Sequence, residues 1–162
     1  MNIGITGLAG SGKDTLADIL VSLSAGKYAK ASFAGVLKRI CTELGWDGAK
    51  DSRGRKLLQN MGMLLREYDE DTWIKLLDKS LDKNKYYVVP DVRFKNEAAY
   101  IRDNQGIIIR VSRPDLELSD THKHVSEFGQ TEIQEDYLVI NDGDLENLKK
   151  ELLKIILPLN LL

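Results

Sequence analysis

The sequence predicts an α/β fold, a parallel sheet with helices packed on both faces. Three observations lead there. Short apolar runs alternate with helical patterns along most of the 162 residues. Several of these runs, Gly106 to Val111 above all, are apolar at consecutive positions, as a strand covered on both faces requires. The first run, around Asn2 to Thr6, passes straight into a Gly-rich turn and a helix.

The elements follow in order. After the first strand and turn, Lys13 opens a helix whose Leu16, Ala17, Ile19 and Leu20 form an apolar stripe. Tyr28 to Phe33 reads as a second strand, and Ala34 to Leu44 as a helix stopped by Gly45. Ser52 is the expected N-cap of a helix running to about Tyr68, with Leu57, Leu58, Met61, Leu64 and Leu65 at helical spacing. Another helix starts near Asp71 and carries Trp73, Ile74, Leu76, Leu77 and Leu81. Tyr86 to Pro90 is a compact strand ending at Asp91, Phe94 to Asn104 a helix, and Gly106 to Val111 a strand closed by Arg113-Pro114. The polar stretch from Asp115 to Asp136 is weakly periodic and holds both histidines, His122 and His124. Tyr137 to Ile140 is the last strand, Asn141-Asp142-Gly143 a turn, and Asp144 to Ile156 the closing helix. Without repeats or a Pro-rich linker, residues 1–162 read as one domain. Stretches at about 35–82 and 113–136 read as insertions over the carboxyl edge of the sheet, where open α/β folds bind ligands.

The turn carries the chemistry. The spacing from Gly7 to Gly12-Lys13 is that of a phosphate-binding loop. Gly10, Ser11 and Gly12 let backbone N–H groups close around phosphate oxygens, and the helix behind them adds free donors and a favourable dipole end. Lys13 supplies a mobile charge for the β- and γ-phosphates of ATP. The residue after the lysine is usually a Mg²⁺-ligating Ser or Thr; here it is Asp14, with Thr15 one step later. That departure argues against switch-type hydrolases and for small-molecule kinases, with Asp14 or Thr15 as the metal contact. An ordinary Gly-rich turn would need neither the buried strand before it nor Lys13 in register.

Bulk properties narrow the class. The formal charge of −2 leaves no basic footprint for a nucleic-acid polymer. The single cysteine, Cys41, excludes an internal disulfide and sits in a partly apolar helical pattern, so it reads as a structural thiol. The N-terminus leaves no room for a signal peptide, and the apolar run 152–162 is interrupted by Pro158 and too short to span a membrane. A cytoplasmic location is expected, in the host cytoplasm were the chain viral.

A second constellation lies at the predicted strand end Val88 to Arg93. Alternate residues of an extended segment point together, so Asp91 and Arg93 share a side. Asp91 suits a water-bridged Mg²⁺ or a sugar hydroxyl; Arg93 suits a bidentate phosphate clamp. Helix capping with a local ion pair is the competing explanation. Lys38, Arg53, Arg55, Lys56, Arg66, Arg110 and Arg113 are further cations available to the transferring group, and Arg113 has the best position for a lid residue. Trp73 suits either a stacked nucleobase or core packing with Ile74 and Leu77. The histidines have no metal-ligand spacing around them and read as lid surface.

These segments, taken in order, resemble the phage-type deoxynucleoside monophosphate kinases, a P-loop nucleotide-kinase family. Ser11-Gly12-Lys13-Asp14-Thr15 followed by Ala17-Asp18 resembles the family loop. Phe33 to Lys38 is similar to its turn into the first acceptor-side helix. Leu57 to Gly62 and Trp73 to Leu76 are similar to its acceptor-domain helices, and Val89 to Arg93 with Glu97 to its strand end. Arg113-Pro114, Asp120-Thr121-His122 and Asn141 to Gly143 complete the order. The resemblance implies ATP-dependent phosphorylation of a deoxynucleoside 5′-monophosphate to its diphosphate, with Mg²⁺. It implies that Leu37 and Lys38 contact the acceptor and that Arg55 or Lys56 meets its phosphate. Trp73 would lie against the acceptor, Asp91 and Arg93 would bind it, and Glu97 would support them. Arg66 joins the acceptor residues and Asn141 the ATP residues. The segment between Leu44 and Ser52 is brief where the family can carry a longer insertion, which leaves a homodimer open. Two other readings compete: a P-loop kinase of another small acceptor, such as a pantetheine or mevalonate derivative, and a nucleotide-binding regulatory module with little turnover.

Overall fold

The computed structural model describes residues 1–116 and 129–162. His122, His124 and half of the expected lid, residues 117–128, lie outside them. The described chain forms two compact units, one of residues 1–30 and 82–162, the other of residues 31–81.

The first unit is built on five parallel strands: β1 (Ile3–Thr6), β2 (Tyr28–Lys30), β3 (Tyr86–Val89), β4 (Ile107–Ser112) and β5 (Tyr137–Ile140), in spatial order β2-β3-β1-β4-β5. Parallel neighbours need crossover connections, and in this unit α1 (Lys13–Leu23), α5 (Lys95–Asp103) and α6 (Leu145–Ile156) pack along the strands. β1 is paired on both sides, Ile3 with Val88 of β3 and with Ile107 of β4. All four of its residues are therefore buried, which is why its sequence carries no polar alternation. Ile3 and Ile5 pack with Leu16, Ala17 and Leu20 of α1 and Leu148, Leu152 and Ile156 of α6. Leu161 joins the same cluster, so the C-terminal apolar run is core.

The second unit holds α2 (Phe33–Glu43), α3 (Ser52–Tyr68) and α4 (Thr72–Ser80). Several boundaries differ from the sequence expectation, and caps account for two of them. β2 stops at Lys30 rather than Phe33, because Ser32 turns aside to cap α2, its Oγ accepting from Gly35 N at 2.9 Å. The cap of α3 is Asp51, not Ser52: its Oδ1 accepts from Gly54 N at 2.7 Å, and a carboxylate at that position also favours the helix dipole. Cys41 is buried, and that burial pushes its thiol pKa up. One element had no sequence signal, a short 3₁₀ turn at Gly129–Glu132.

No helix among the described residues is long and apolar enough to cross a membrane.

Candidate active site

The four loops that leave β1, β3, β4 and β5 all open at the carboxyl edge of the sheet. The first is the phosphate loop. Gly7 has φ of +139°, and a Cβ there would lie 2.3 Å from the Val111 carbonyl oxygen on β4, so no side chain fits. Ser11 N donates to Leu8 O at 3.1 Å, closing the turn. Gly12, at φ +101°, caps α1 in a left-handed conformation without any side-chain bond to the helix. The first amides of α1 therefore have no intrahelical acceptor and point toward the loop's concave side. Lys13 is largely buried and arches back so that its Nζ donates to Leu8 O at 2.7 Å. Two hydroxyls at this end of β1, Thr6 Oγ1 and Ser11 Oγ, are buried without a hydrogen-bond partner among the described residues.

Asn141, at the end of β5, straps the loop: its Nδ2 donates to Ser11 O at 2.8 Å. Behind the loop lies a cleft of about 400 Å³ lined by Lys13, Asp14, Thr15, Arg113, Asn141 and Leu145. Arg113 is exposed at its rim, so the expected lid residue and the expected ATP residues share one cavity.

Asp14 is committed electrostatically. Lys30, at the end of β2, bridges Asp14 Oδ1 at 3.0 Å and Asp18 Oδ1 at 2.9 Å. Burial pulls the Lys30 pKa down, but the hydrogen bonds it donates to Asp18 and Asp14 outweigh it and hold the ammonium above its ordinary value. Thr15 is exposed at the same cleft. No group of three or more His, Cys, Asp or Glu side chains among the described residues could hold a metal ion.

At the end of β3 the chain turns at Pro90-Asp91, and Val92 N donates to Ile5 O at 3.2 Å, which buries Val92 and leaves Asp91 and Arg93 half-exposed on either side of it. Glu97 is 1% exposed, and its Oε2 accepts from Arg93 N at 2.7 Å and Phe94 N at 3.2 Å. Its carboxylate fixes the backbone that carries Arg93 and caps α5 in the same stroke. Arg110 is not available to a ligand. Its guanidinium is spent on Glu135 Oε2 at 2.8 Å and on the carbonyls of Gln130 and Ile133.

In the second unit Leu37 and Lys38 are half-exposed on α2. Arg55 donates from Nε to Lys50 O at 3.0 Å, whereas Lys56 lines a hollow of about 500 Å³ together with Trp46, Arg53 and Asn60. The structure thus separates two neighbours that the sequence left equivalent. Arg66 is half-buried in the last turn of α3. Trp73 is 2% exposed and its indole N–H donates to Gly62 O at 3.0 Å. Of its two sequence readings, the geometry matches core packing: a ring so enclosed presents no face for a base to stack on.

A lysine-bearing phosphate loop on the central strand of a five-stranded parallel sheet defines a P-loop kinase fold. Its resemblance to dephospho-CoA kinase from Campylobacter jejuni, at TM-score 0.53 and 18% identity over 97% of this chain and 96% of that one, concerns the fold alone. A family model described as deoxynucleotide monophosphate kinase matches residues 49–152. The chain is 28% identical to a protein of Acanthamoeba polyphaga mimivirus assigned as a deoxynucleotide monophosphate kinase, over 95% of both. It is 32% identical to the deoxynucleotide monophosphate kinase of Escherichia phage RB69, over 63% of this chain and 44% of the phage protein. The chain belongs to the deoxynucleotide monophosphate kinase family.

Proposed function

We propose that this protein transfers the γ-phosphoryl group of ATP to a deoxynucleoside 5′-monophosphate. The observation that carries the reading is that the phosphate loop, the Arg113–Asn141 cleft and the Asp91–Arg93 turn all open at one edge of one sheet. Donor phosphates belong on Gly10 to Thr15, where backbone amides and Lys13 face them. The nucleoside of ATP belongs in the cleft, between the Arg113 guanidinium and Leu145. The acceptor belongs at Asp91 and Arg93; by the family resemblance, Leu37, Lys38 and Lys56 of the helical unit are further residues proposed to meet it.

Such a site needs no protein nucleophile. Phosphoryl transfer depends on alignment and on neutralising charge spread over the transferring group, and Lys13 and Arg93 supply that charge from opposite ends. The donors fit Mg²⁺ carried in with the nucleotide: an exposed hydroxyl, Thr15, stands beside Asp14 on the first turn of α1, while phosphates and water would provide the remaining ligands. Bound there, the ion supplies positive charge between phosphate oxygens. Lys30 keeps Asp14 half-neutralised, which favours Thr15 as the direct contact.

Side-by-side initial rates for dGMP, GMP, dTMP and UMP with ATP and Mg²⁺ test the proposal. The deoxy forms are expected to show the higher kcat/KM. Equal rates for ribo and deoxy acceptors would remove the deoxy preference, and no turnover of any mononucleotide would remove the reading itself.

A further inference from the structure

The turn at Gly129–Glu132 lies where three other segments of the first unit meet. Gln130 within it is 1% exposed, and its Oε1 accepts from Gly7 N–H at 3.1 Å, across 123 residues of sequence. A buried carboxamide costs free energy unless it is bonded, so this contact is a placed one. The turn is itself anchored to the sheet. Arg110 stands on β4 opposite Thr6 of β1, and its guanidinium reaches up to Gln130 O at 3.1 Å, to Ile133 O and to the Glu135 carboxylate. On its other side the turn abuts the acceptor strand end, for a Cβ on Gly129 would lie 2.8 Å from Arg93 O. Gln130 is thus the far end of a strut that starts in the sheet.

Gly7 is where the chain leaves β1 for the phosphate loop. Its peptide plane sets the direction in which every later amide of the loop points. With its N–H bonded to Gln130, Gly7 cannot donate to a phosphate, and the cradle is left to the amides that follow. We infer that Gln130 is a positioning residue for the donor-phosphate site: it locks the Gly7 peptide so that the amides from Gly10 to Thr15 face the nucleotide. The inference rests on reading Gly7 to Thr15 as the ATP site.

Gln130→Leu removes the acceptor at nearly constant volume, and Gln130→Glu keeps an oxygen in its place. In Gln130→Leu, kcat/KM for ATP is expected to fall about tenfold or more, through KM for ATP and kcat, as misplacing a phosphate cradle should do. KM for the acceptor should stay within about twofold. Gln130→Glu should recover most of the loss. In ¹⁵N-labelled protein without nucleotide, the Gly7 amide should exchange faster with solvent in the Leu variant and stay protected in the Glu variant. The inference is overturned if Gln130→Leu keeps kcat/KM for ATP within twofold, if donor and acceptor KM rise together, or if Gly7 protection is unchanged. Should the wild-type protein show no stabilisation by ATP, the nucleotide reading fails instead, and Gly7 exchange still decides whether Gln130 holds the loop.

Discussion

Lys13 and Lys30 both reach the carboxyl edge of the sheet, and their partners assign them different work. Lys13 donates to a carbonyl of its own loop, a bond that a phosphate oxygen can replace. Lys13→Ala is expected to cut kcat at least about tenfold while changing the thermal midpoint little, checked by steady-state rates and calorimetry on one preparation. Lys30 balances two carboxylates beside the loop. Lys30→Met should leave Asp14 and Asp18 unopposed and weaken metal-free ADP binding roughly three- to tenfold at low salt, with Lys30→Arg close to wild type. Titration calorimetry in 20 mM and 500 mM salt checks this: the defect should shrink at high salt, and a defect independent of salt would point to a packing role. Arg93→Lys keeps charge but loses the planar fork, so KM for the acceptor should rise more than about threefold if Arg93 clamps a phosphate. At this scale the sequence was informative where spacing encodes chemistry, as at Gly7, Gly12 and Lys13. It was silent where a lone polar residue acts through tertiary contact, as at Lys30 and Gln130, and ambiguous at Trp73, whose helical spacing serves a core and a base platform equally well.

Strands and helices were readable because the two periodicities differ and because caps punctuate them. β5 and the start of α1 fall where the apolar runs place them, and two of the misplaced boundaries trace to a competing cap, Ser32 or Asp51. The 3₁₀ turn was unreadable for a physical reason: it is held by tertiary contacts, Arg110 on β4 and Gly7 of the phosphate loop among them, rather than by a local pattern. That dependence predicts a pH effect. The hydrogen bond from Arg110 holds the Glu135 carboxyl below its ordinary range, burial opposing it. A carboxylate with a depressed folded-state pKa adds stability above its unfolded value, near pH 4.5, and loses it as pH falls through the folded value. The thermal midpoint gap between wild type and Glu135→Gln should therefore be full at pH 7 and close as the pH falls below 4.5 and through the folded-state value. Arg110→Met removes the guanidinium bonds to the turn and to Glu135 and should cost about 2 kcal/mol, a midpoint drop on the order of 5 °C for a chain of this size, read by calorimetry.

The whole molecule offers a test that needs no variant. A ligand that binds only the folded state stabilises it by mass action, about 2.7 kcal/mol at a hundredfold excess over Kd. ATP and a deoxynucleoside monophosphate, added separately, should each raise the thermal midpoint if the donor and acceptor sites are distinct; a shift with ATP alone would favour a binding module over a kinase. The family was legible at this scale because the motifs fall in order from the phosphate loop to the turn after β5, a pattern that a Gly-rich loop alone does not specify.

The strap from Asn141 to the phosphate loop has a consequence for how the protein comes into being. Ser11 leaves the ribosome before Asn141, and the amide that steadies it is made 130 residues later. Contacts this distant in sequence form late, after the intervening chain has closed. The loop's glycines, which give it the freedom to wrap a phosphate, also leave it without a preferred shape until β5 has paired with β4 at Ile109↔Tyr137. Nascent chains arrested before β5 emerges are therefore expected to show no retention on ATP-agarose, and those arrested well beyond α6 to be retained. Nucleotide binding would then report completion of the sheet.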